Sequence, residues 1–487
     1  MSLKIYNTMT RKKEAFEPIE PGKIKIYVCG VTVYDLCHMG HARALVNFDV
    51  IVRYMRFLGY DVTYVRNFTD IDDKIINRAR ERGISCQALA EENIEAFRKD
   101  TEALGIMPAD IEPLATHHID DMVELVQALE KRGNAYNVGG DVYFRVRSFK
   151  EYGKLSGRNI DDLEAGARIE VDAKKEDPLD FTLWKSSKPL EPSWPSPWGE
   201  GRPGWHIECS AMSAKYLGQP FDIHGGGKDL IFPHHENEIA QSEAGRGVEF
   251  ARYWMHNGHI TVNKDKMAKS LKNFVTIRDA LEKHDPQAIR YFLLSTHYRA
   301  PLDYSDQGLL EAGKRVESVY ETLARIGGIL KRAGQVHTEG ELAKPEVSGE
   351  LLNNFTESMD DDFNTAAALG RLSVPLRLAN EIADKPKAFG KPVAYRTLMR
   401  LHKDLTAIAD VLGIFDMEPS IYLNRIRDRR AAEKGINPAE VERLLVERTE
   451  ARQNKLWDRA DEIRNRLKEM GIDIMDTVDG SSWKVLY

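Results

Sequence analysis

Ile24-Lys-Ile-Tyr-Val-Cys29 is a short run of β-branched and aromatic residues, and this composition predicts a buried strand. Gly30 ends the run. A helix is predicted to begin near 38–40 and to end at Leu58, because apolar residues recur there at spacings of three and four. Val62-Thr-Tyr-Val65 begins a second strand. A strand, a helix and a strand at this spacing form a βαβ unit, which implies a parallel sheet.

The alternation of strands and helices continues beyond this unit, with one interruption. Helical patterns occur at 71–82, 86–104 and 117–132, and strand, helix and strand signals return at 221–224, 234–244 and 253–256. Between them the pattern changes to short strands and loops, and Pro189–Pro203 contains five prolines and two tryptophans. We therefore expect an α/β fold with a doubly wound, Rossmann-like parallel sheet and an inserted subdomain.

The C-terminal third of the chain has a different pattern. Long amphipathic helices are predicted from 310 to 412, and a last segment from Pro419 should hold two helices and a short β element near Trp483–Tyr487. The predicted sheet domain has two halves, 1–110 and 205–309, with an insertion at 111–204 between them. A helical bundle follows at 310–415, and a small mixed α/β domain at 416–487.

Composition limits the classes of protein. Hydrophobic residues make up 42% of the chain and charged residues 30%, which is typical of a globular protein. Four cysteines are too few for a disulfide framework, and no apolar run approaches the roughly 20 residues that span a bilayer. Because Met1–Glu20 lacks signal-peptide character, we expect a cytoplasmic protein without membrane association. The net charge of −7 means that any nucleic-acid binding must use local patches.

Two cysteines, a histidine and a glutamate could form a metal site. His234 and Glu238 are four residues apart, so a helix would place them on one face. Cys29 ends the first strand, and Cys209 follows a predicted turn that begins at Trp205. Because strand ends gather at one edge of a doubly wound sheet, these residues could converge and bind zinc. On spacing alone, however, two distant cysteines are more often buried thiols than ligands, and His-x-x-x-Glu is common on solvent-exposed helices.

A pair of histidines and a lysine cluster could bind phosphate groups. His38-Met-Gly-His41 lies at a helix start, where Gly40 would let an anion approach the backbone and both imidazoles could donate hydrogen bonds. Lys264-Asp-Lys266-Met-Ala-Lys269-Ser270 could neutralise a leaving pyrophosphate. A capped helix with surface histidines and a solvated lysine loop remain the alternatives. Gly225-Gly-Gly-Lys228 lacks the spacing of a P-loop and is rejected as one.

Taken in order, these segments resemble the class I aminoacyl-tRNA synthetases, and specifically the cysteinyl-tRNA synthetase family. His38–His41 is similar to the HIGH element and Lys266–Ser270 to the KMSKS loop of that family. The segments that resemble the cysteine-specific signatures and the family's tail are Asn67–Lys74, Gly204–Ser210, Asp222–Gly227, Pro233–Glu238 and Glu450–Arg464. Three positions depart from the family pattern, namely Val31 for proline, Met39 for isoleucine and Ala268 for serine.

The resemblance implies a role for each candidate residue. It implies one Zn²⁺ per chain, bound by Cys29, Cys209, His234 and Glu238. The residues implied to act on ATP are His38, His41, Lys266 and Lys269 as catalytic groups, with Gly40 and Asp229 as further nucleotide contacts. Those implied to border the amino-acid pocket are Gly30, Thr32, Trp205 and His224. Anticodon contacts are implied for Arg452, Trp457 and Asp461, although Trp457 could instead be a core tryptophan.

The resemblance also implies the reaction and its partners. Cysteine would be activated with ATP and Mg²⁺ to cysteinyl-adenylate and pyrophosphate, and then transferred to tRNA(Cys) by a monomeric enzyme. Zinc would separate the thiol of cysteine from the hydroxyl of serine without a separate editing domain. One alternative is a ligase that joins cysteine to an amino-sugar precursor, but such relatives lack the tail at 450–483. A non-catalytic RNA-binding relative would not need both histidines and both lysines.

Overall fold

The computed structural model describes residues 2–159, 174–262, 265–266, 274–334, 337, 339–477 and 480–486. The strands in these ranges are β1 (Lys4–Asn7), β2 (Lys12–Ala15), β3 (Lys23–Thr32), β4 (Asp61–Thr69), β5 (Ala135–Val138), β6 (Asp141–Phe144), β7 (Phe181–Ser186), β8 (Gly201–Pro203), β9 (Phe221–Gly227), β10 (Ala251–Asn257), β11 (Ile260–Val262), β12 (Asp265–Lys266), β13 (Leu302–Tyr304), β14 (Ile472–Thr477) and β15 (Gly480–Val485).

The helices in the described ranges are α1 (Met39–Phe57), α2 (Asp73–Arg82), α3 (Cys86–Ala103), α4 (Ile119–Lys131), α5 (Trp205–Leu217), α6 (Glu236–Arg246), α7 (Ile277–Lys283), α8 (Pro286–Leu294), α9 (Asp306–Ala333), α10 (Pro345–Ser348), α11 (Leu351–Asp360), α12 (Thr365–Arg371), α13 (Ser373–Asp384), α14 (Lys391–Leu412), α15 (Pro419–Glu433), α16 (Pro438–Gln453) and α17 (Trp457–Glu469). None of these helices combines the length and the apolar character that a membrane span requires.

A four-stranded parallel sheet forms the centre of the fold, with the strand order β10-β9-β3-β4. The predicted βαβ unit is confirmed as β3, α1 and β4, and α1 is capped by His38 and Leu58. Because the four strands are parallel, their carboxyl ends meet at one edge of the sheet. The predicted α/β fold class is confirmed by this topology.

The segment between the halves of the sheet has its own antiparallel sheet, with the order β5-β6-β7-β8. Its buried side chains include Phe144 and Trp184, and they belong to one core with Ile207 of α5 and Ile239 of α6. The inserted sheet therefore shares one core with the two helices that carry the predicted cysteine-specific signatures.

The C-terminal segment contains three helices rather than the predicted two. Helices α15 and α16 are separate because Gly435 adopts a left-handed backbone (φ 65°) and Asn437 caps a new helix with its side chain. The third helix begins at Trp457. A hairpin of β14 and β15 follows, and Trp483 of this hairpin packs in a small separate core with Leu444 and Leu467.

Candidate active site

A cavity of about 360 Å³ lies at the carboxyl edge of the central sheet. The residues after β3, the first turn of α1 and the ends of β9 and β10 line it. We call this cavity the cleft. Among the predicted site residues, those that line it are Cys29, Gly30, Thr32, His38, Gly40, His41, Trp205 and Asp229.

The four predicted metal ligands converge at one wall of the cleft. One donor atom from each of Cys29, Cys209, His234 and Glu238 lies within 4.8 Å of the others. The two sulfurs are 3.6 Å apart, and Glu238 Oε1 lies 3.3 Å from Cys29 Sγ and 2.9 Å from His234 Nε2. All are buried except Cys29, which is partly exposed towards the cleft. Two sulfurs, one imidazole and one carboxylate form a donor set that suits zinc.

One local prediction around these ligands was wrong, although the residues still meet. The segment from Trp205 to Cys209 is the start of helix α5 and not a turn, because the preceding strand ends at Pro203 and the helix follows Gly204 at once. His234 lies in a π-helical turn, Ile231–His235, that runs directly into α6. The imidazole still reaches the carboxylate of Glu238 one turn later.

A second set of possible ligands shares two members with the first. Cys29, His224, His235 and Glu238 also bring their donor atoms within 4.8 Å. Sequence reasoning missed His235 as a possible ligand, although the doublet His234-His235 could have pointed to it. The set with Cys209 fits zinc better, because it has two sulfurs and because Trp205, which lines the cleft, lies over the ring of His234 (4.2 Å between centroids).

The charges of the cluster favour a bound cation. A hydrogen bond from the Cys29 thiol is the main cause that lowers the pKa of Cys209 to about 6, whereas burial raises the pKa of Cys29. Although burial opposes protonation, Glu238 and Cys209 raise the pKa of His234 to about 10. Without a metal, a proton on His234 therefore balances the charge of the anionic donors. A bound cation would balance the same charge.

Further histidines surround the four donors. His224 was predicted to border the amino-acid pocket, but it does not line the cleft. Its Nε2 lies 2.8 Å from Glu238 Oε2, and its ring stacks on Trp254. His206 Nδ1 lies 2.9 Å from His234 Nδ1. Contacts of this kind orient metal ligands in proteins, and sequence spacing gave no sign of them.

The paired histidines form the N-terminal cap of α1. The ring of His38 accepts hydrogen bonds from the backbone of Gly40 (2.9 Å) and His41 (3.3 Å), and His41 accepts one from the backbone of His38 (3.3 Å). The two rings are stacked, 3.8 Å apart. A Cβ atom on Gly40 would lie 2.6 Å from the His38 ring, so the glycine makes room for that ring. The two histidines thus cap the helix and also line the cleft.

The lysine segment is only partly described. Lys266 forms part of β12, which pairs with β11, and Lys269 lies outside the described residues. After this segment the chain returns to the start of α1, where Met39 N donates to Val275 O (3.1 Å) and Ile277 N donates to Cys37 O (3.0 Å). The two motifs that were predicted to bind phosphate are therefore joined through the backbone.

The three predicted anticodon residues lie far along the chain, on α16 and α17. Arg452 is in the last turn of α16, and Trp457 and Asp461 lie one turn apart in α17. All three are exposed, and Trp457 exposes 59% of its surface. The alternative that Trp457 is a core residue was therefore wrong.

Comparisons with known proteins agree with this architecture. Residues 15–314 match the family model of the class I (C) tRNA synthetase catalytic domain, residues 354–416 that of the DALR domain, and residues 437–483 that of the cysteinyl-tRNA ligase anticodon binding domain. A methionyl-tRNA synthetase of Mycobacterium tuberculosis, solved with methionyl-adenylate, is 19% identical with a TM-score of 0.60, covering 80% of this chain and 92% of its own; this likeness concerns the fold.

Two relatives that match this chain over almost its full length are both cysteine–tRNA ligases. The cysteine–tRNA ligase of Geobacter metallireducens is 53% identical over all of both chains. That of Nitratidesulfovibrio vulgaris is also 53% identical and covers 99% of this chain and 100% of its own. The chain therefore belongs to the cysteine–tRNA ligase family of class I aminoacyl-tRNA synthetases.

Proposed function

We propose that the cleft activates L-cysteine with ATP to cysteinyl-adenylate and pyrophosphate, and that the cysteine then passes to the 3′ end of tRNA(Cys). The observation that carries this proposal is the meeting of Cys29, Cys209, His234 and Glu238 beside the paired histidines of α1. The amino acid and the phosphates of ATP must lie next to each other for the carboxylate to attack the α-phosphate. The four donors would bind the amino acid at one wall of the cleft, and the paired histidines would bind the phosphates beside it.

One Zn²⁺ per chain would be held by Cys29, Cys209, His234 and Glu238. When bound, it would supply a position that prefers a thiolate over a hydroxyl and so separates cysteine from serine. Discrimination by about 10⁴ corresponds to roughly 5.5 kcal/mol, which an apolar pocket alone does not provide. Trp205, Gly30 and Thr32 line the cleft around this position and would border the substrate.

ATP would bind at the start of α1. The positive end of the helix dipole favours an anion, and His38 and His41 would donate to the α-phosphate as its charge redistributes. Asp229, an exposed residue that lines the cleft, would accept from the ribose. Lys266 and Lys269 would hold the leaving pyrophosphate, and Mg²⁺ would accompany the triphosphate.

The C-terminal domain would read the anticodon through Arg452, Trp457 and Asp461. The exposed indole offers a face for an unpaired base, while the charged side chains can bond its edge. The match of 437–483 to an anticodon binding domain counts against the alternative ligase for an amino-sugar precursor. We also propose a cytoplasmic monomer, with domain bounds at 110, 204, 309 and 415.

Replacement of a sulfur ligand tests the proposed function. Cys209→Ser should remove most of the bound zinc and lower cysteine-dependent exchange of pyrophosphate into ATP by at least a hundredfold, because the metal loses a thiolate. ATP affinity, measured by nucleotide titration, should change less than threefold. Cys86→Ser, which alters a partly exposed thiol outside the cluster, should keep both zinc and exchange. Full zinc content and full exchange in Cys209→Ser would refute the proposal.

A further inference from the structure

Strand β3 contains a bulge at the first metal-ligand candidate. Its pairing with β4 is regular up to Val28↔Arg66 and resumes at Val31↔Phe68. Two residues of β3, Cys29 and Gly30, therefore lie opposite the single residue Asn67 of β4. Bulges of this kind change the direction in which the following side chains point, and they occur often next to active sites.

The packing on the two faces of the sheet shows what this bulge changes. Tyr27 and Cys29 contact the core beneath α5 and α6, whereas Val28 packs in the core on the other face. In an unbroken strand Val31 would share the face of Cys29, but it packs with Val28 instead. The bulge thus leaves Cys29 directed towards Cys209 while the strand beyond it returns to the opposite core.

The side chain of Asn67 closes this bulge. Its Oδ1 accepts a hydrogen bond from Gly30 N at 2.9 Å, and the residue is buried, with a relative exposure of 1%. The backbones approach so closely that a Cβ on Gly30 would lie 1.6 Å from Asn67 O. The same Oδ1 lies 3.8 Å from Cys209 Sγ. One carboxamide therefore contacts both the residue after the first sulfur and the second sulfur itself.

We infer that Asn67 is a positioning residue of the metal centre. It fixes the bulge that orients Cys29, and through its contact with Cys209 it sets the distance between the two sulfur donors. This inference rests on the proposed zinc site. Residues that orient metal ligands typically contribute about 10- to 100-fold to metal affinity, and the effect of Asn67 should fall in that range.

The test compares zinc binding in Asn67→Ala and in Asn67→Asp. Asn67→Ala removes the acceptor for Gly30 N, so zinc release to a chromogenic chelator should become about 10- to 100-fold faster. In the Co²⁺-substituted protein the sulfur-to-cobalt charge-transfer band should weaken. Asn67→Asp is nearly isosteric and keeps the acceptor, so its release rate should lie closer to that of the wild type. Asn47→Ala, at a buried asparagine of α1, is the matched control and should release zinc as the wild type does.

Thermal unfolding of the zinc-free proteins separates positioning from folding. If Asn67→Ala releases zinc faster only in proportion to its loss of stability, or if Asn47→Ala with a similar loss of stability releases zinc equally fast, the inference is overturned. If Asn67→Ala does not fold, Asn67→Ser replaces it, because a serine hydroxyl is too short to reach Gly30 N. Wild-type release rates in a folded Ala or Ser variant overturn the inference too. A wild-type protein without stoichiometric zinc would instead refute the proposed function.

Discussion

Trp457 exposes more than half of its surface, although the helix that it begins packs on its neighbours through Ile463 and Leu467. Leu456 beside it is 57% exposed as well. An aromatic side chain in this position adds less to folding than a core residue would, because more than half of its surface stays in water. At the scale of single residues, its exposure points to a contact that forms only with a partner.

Trp457→Ala should weaken tRNA charging and leave adenylate formation unchanged. Stacking of a base on an aromatic ring contributes about 1–3 kcal/mol, so the KM for tRNA should rise roughly 5- to 150-fold. The melting temperature should stay within about 2 °C of the wild type, because the ring is exposed. Charging and pyrophosphate exchange, assayed in parallel, check this, and an equal loss in both would contradict it.

Acid should destabilise the metal-free protein through its buried histidines. Burial, with the neighbouring His224 and Lys228, lowers the pKa of His256 from 6.5 to about 3. Because the folded-state pKa lies below the unfolded one, this histidine stabilises the fold above pH 6.5 and loses that contribution as the pH falls towards 3. The loss should be on the order of 3 kcal/mol by pH 4. Denaturant titrations at several pH values measure it.

The control for this prediction is a variant in which residue 256 cannot bind a proton. In His256→Asn the free energy of unfolding should depend less steeply on pH between 6.5 and 4, whatever the change in absolute stability. An unchanged slope would show that other groups dominate the acid response.

Sequence predicted the identity of the site residues better than their surroundings. The four donors and the paired histidines were named from their residue types and from the family resemblance, and they line or adjoin the cleft. The contacts of His206 and Asn67 were not foreseen. They depend on segments that are distant in the chain, such as Gly30 and Asn67, and no spacing rule connects those.

At the scale of elements, α15 joins the C-terminal domain to the rest of the chain. Arg430 makes two hydrogen bonds to Glu317 of α9 (2.7 and 3.0 Å), and Arg425 pairs with Asp285 at the start of α8 (2.5 Å). On its other side, Arg427 lies over the ring of Trp483. Arginines along one helix thus connect two domains.

Arg430→Ala should loosen this connection, because it removes a guanidinium that pairs with the largely buried carboxylate of Glu317. We expect a loss of about 1–3 kcal/mol in unfolding free energy and slower tRNA charging, with pyrophosphate exchange unchanged. Arg466→Ala removes the more exposed pair with Glu440 and should cost less than about 1 kcal/mol. Equal effects of both substitutions would contradict this assignment.

Element prediction succeeded where periodicity was strong and failed at boundaries. The helix from 39 to 57 and the strands on either side of it were predicted because their apolar spacing is regular. At the start of α5, where proline and glycine precede Trp205, the sequence predicts a turn, because this helix is buried on several sides. A helix of that kind has no polar stripe that would reveal its period.

At the scale of the whole molecule, the described residues form three apolar cores. One spans the α1 face of the central sheet and the helical bundle, a second lies beneath α5, α6 and the inserted sheet, and the third belongs to the C-terminal helices and hairpin. The third core is small and separate. The cleft therefore does not depend on it for its shape.

A chain that ends after residue 436 should keep zinc and cysteine-dependent pyrophosphate exchange within about threefold of the full chain. It should lose tRNA charging by at least two orders of magnitude, because the anticodon contacts are removed. Zinc content, exchange and charging of the purified truncated protein check this. Loss of exchange, in a protein that still melts cooperatively, would show that the third core supports the cleft.

The return of the chain to His38 at Thr276 has a mechanical consequence. Val275 O accepts a hydrogen bond from the amide of Met39, and Cys37 O accepts one from Ile277 N, so the described backbone after the lysine segment is bonded on both sides of His38. If the start of α1 binds the nucleotide as proposed, a shift of Val275 would lengthen its bond to Met39 and so displace the first turn of that helix.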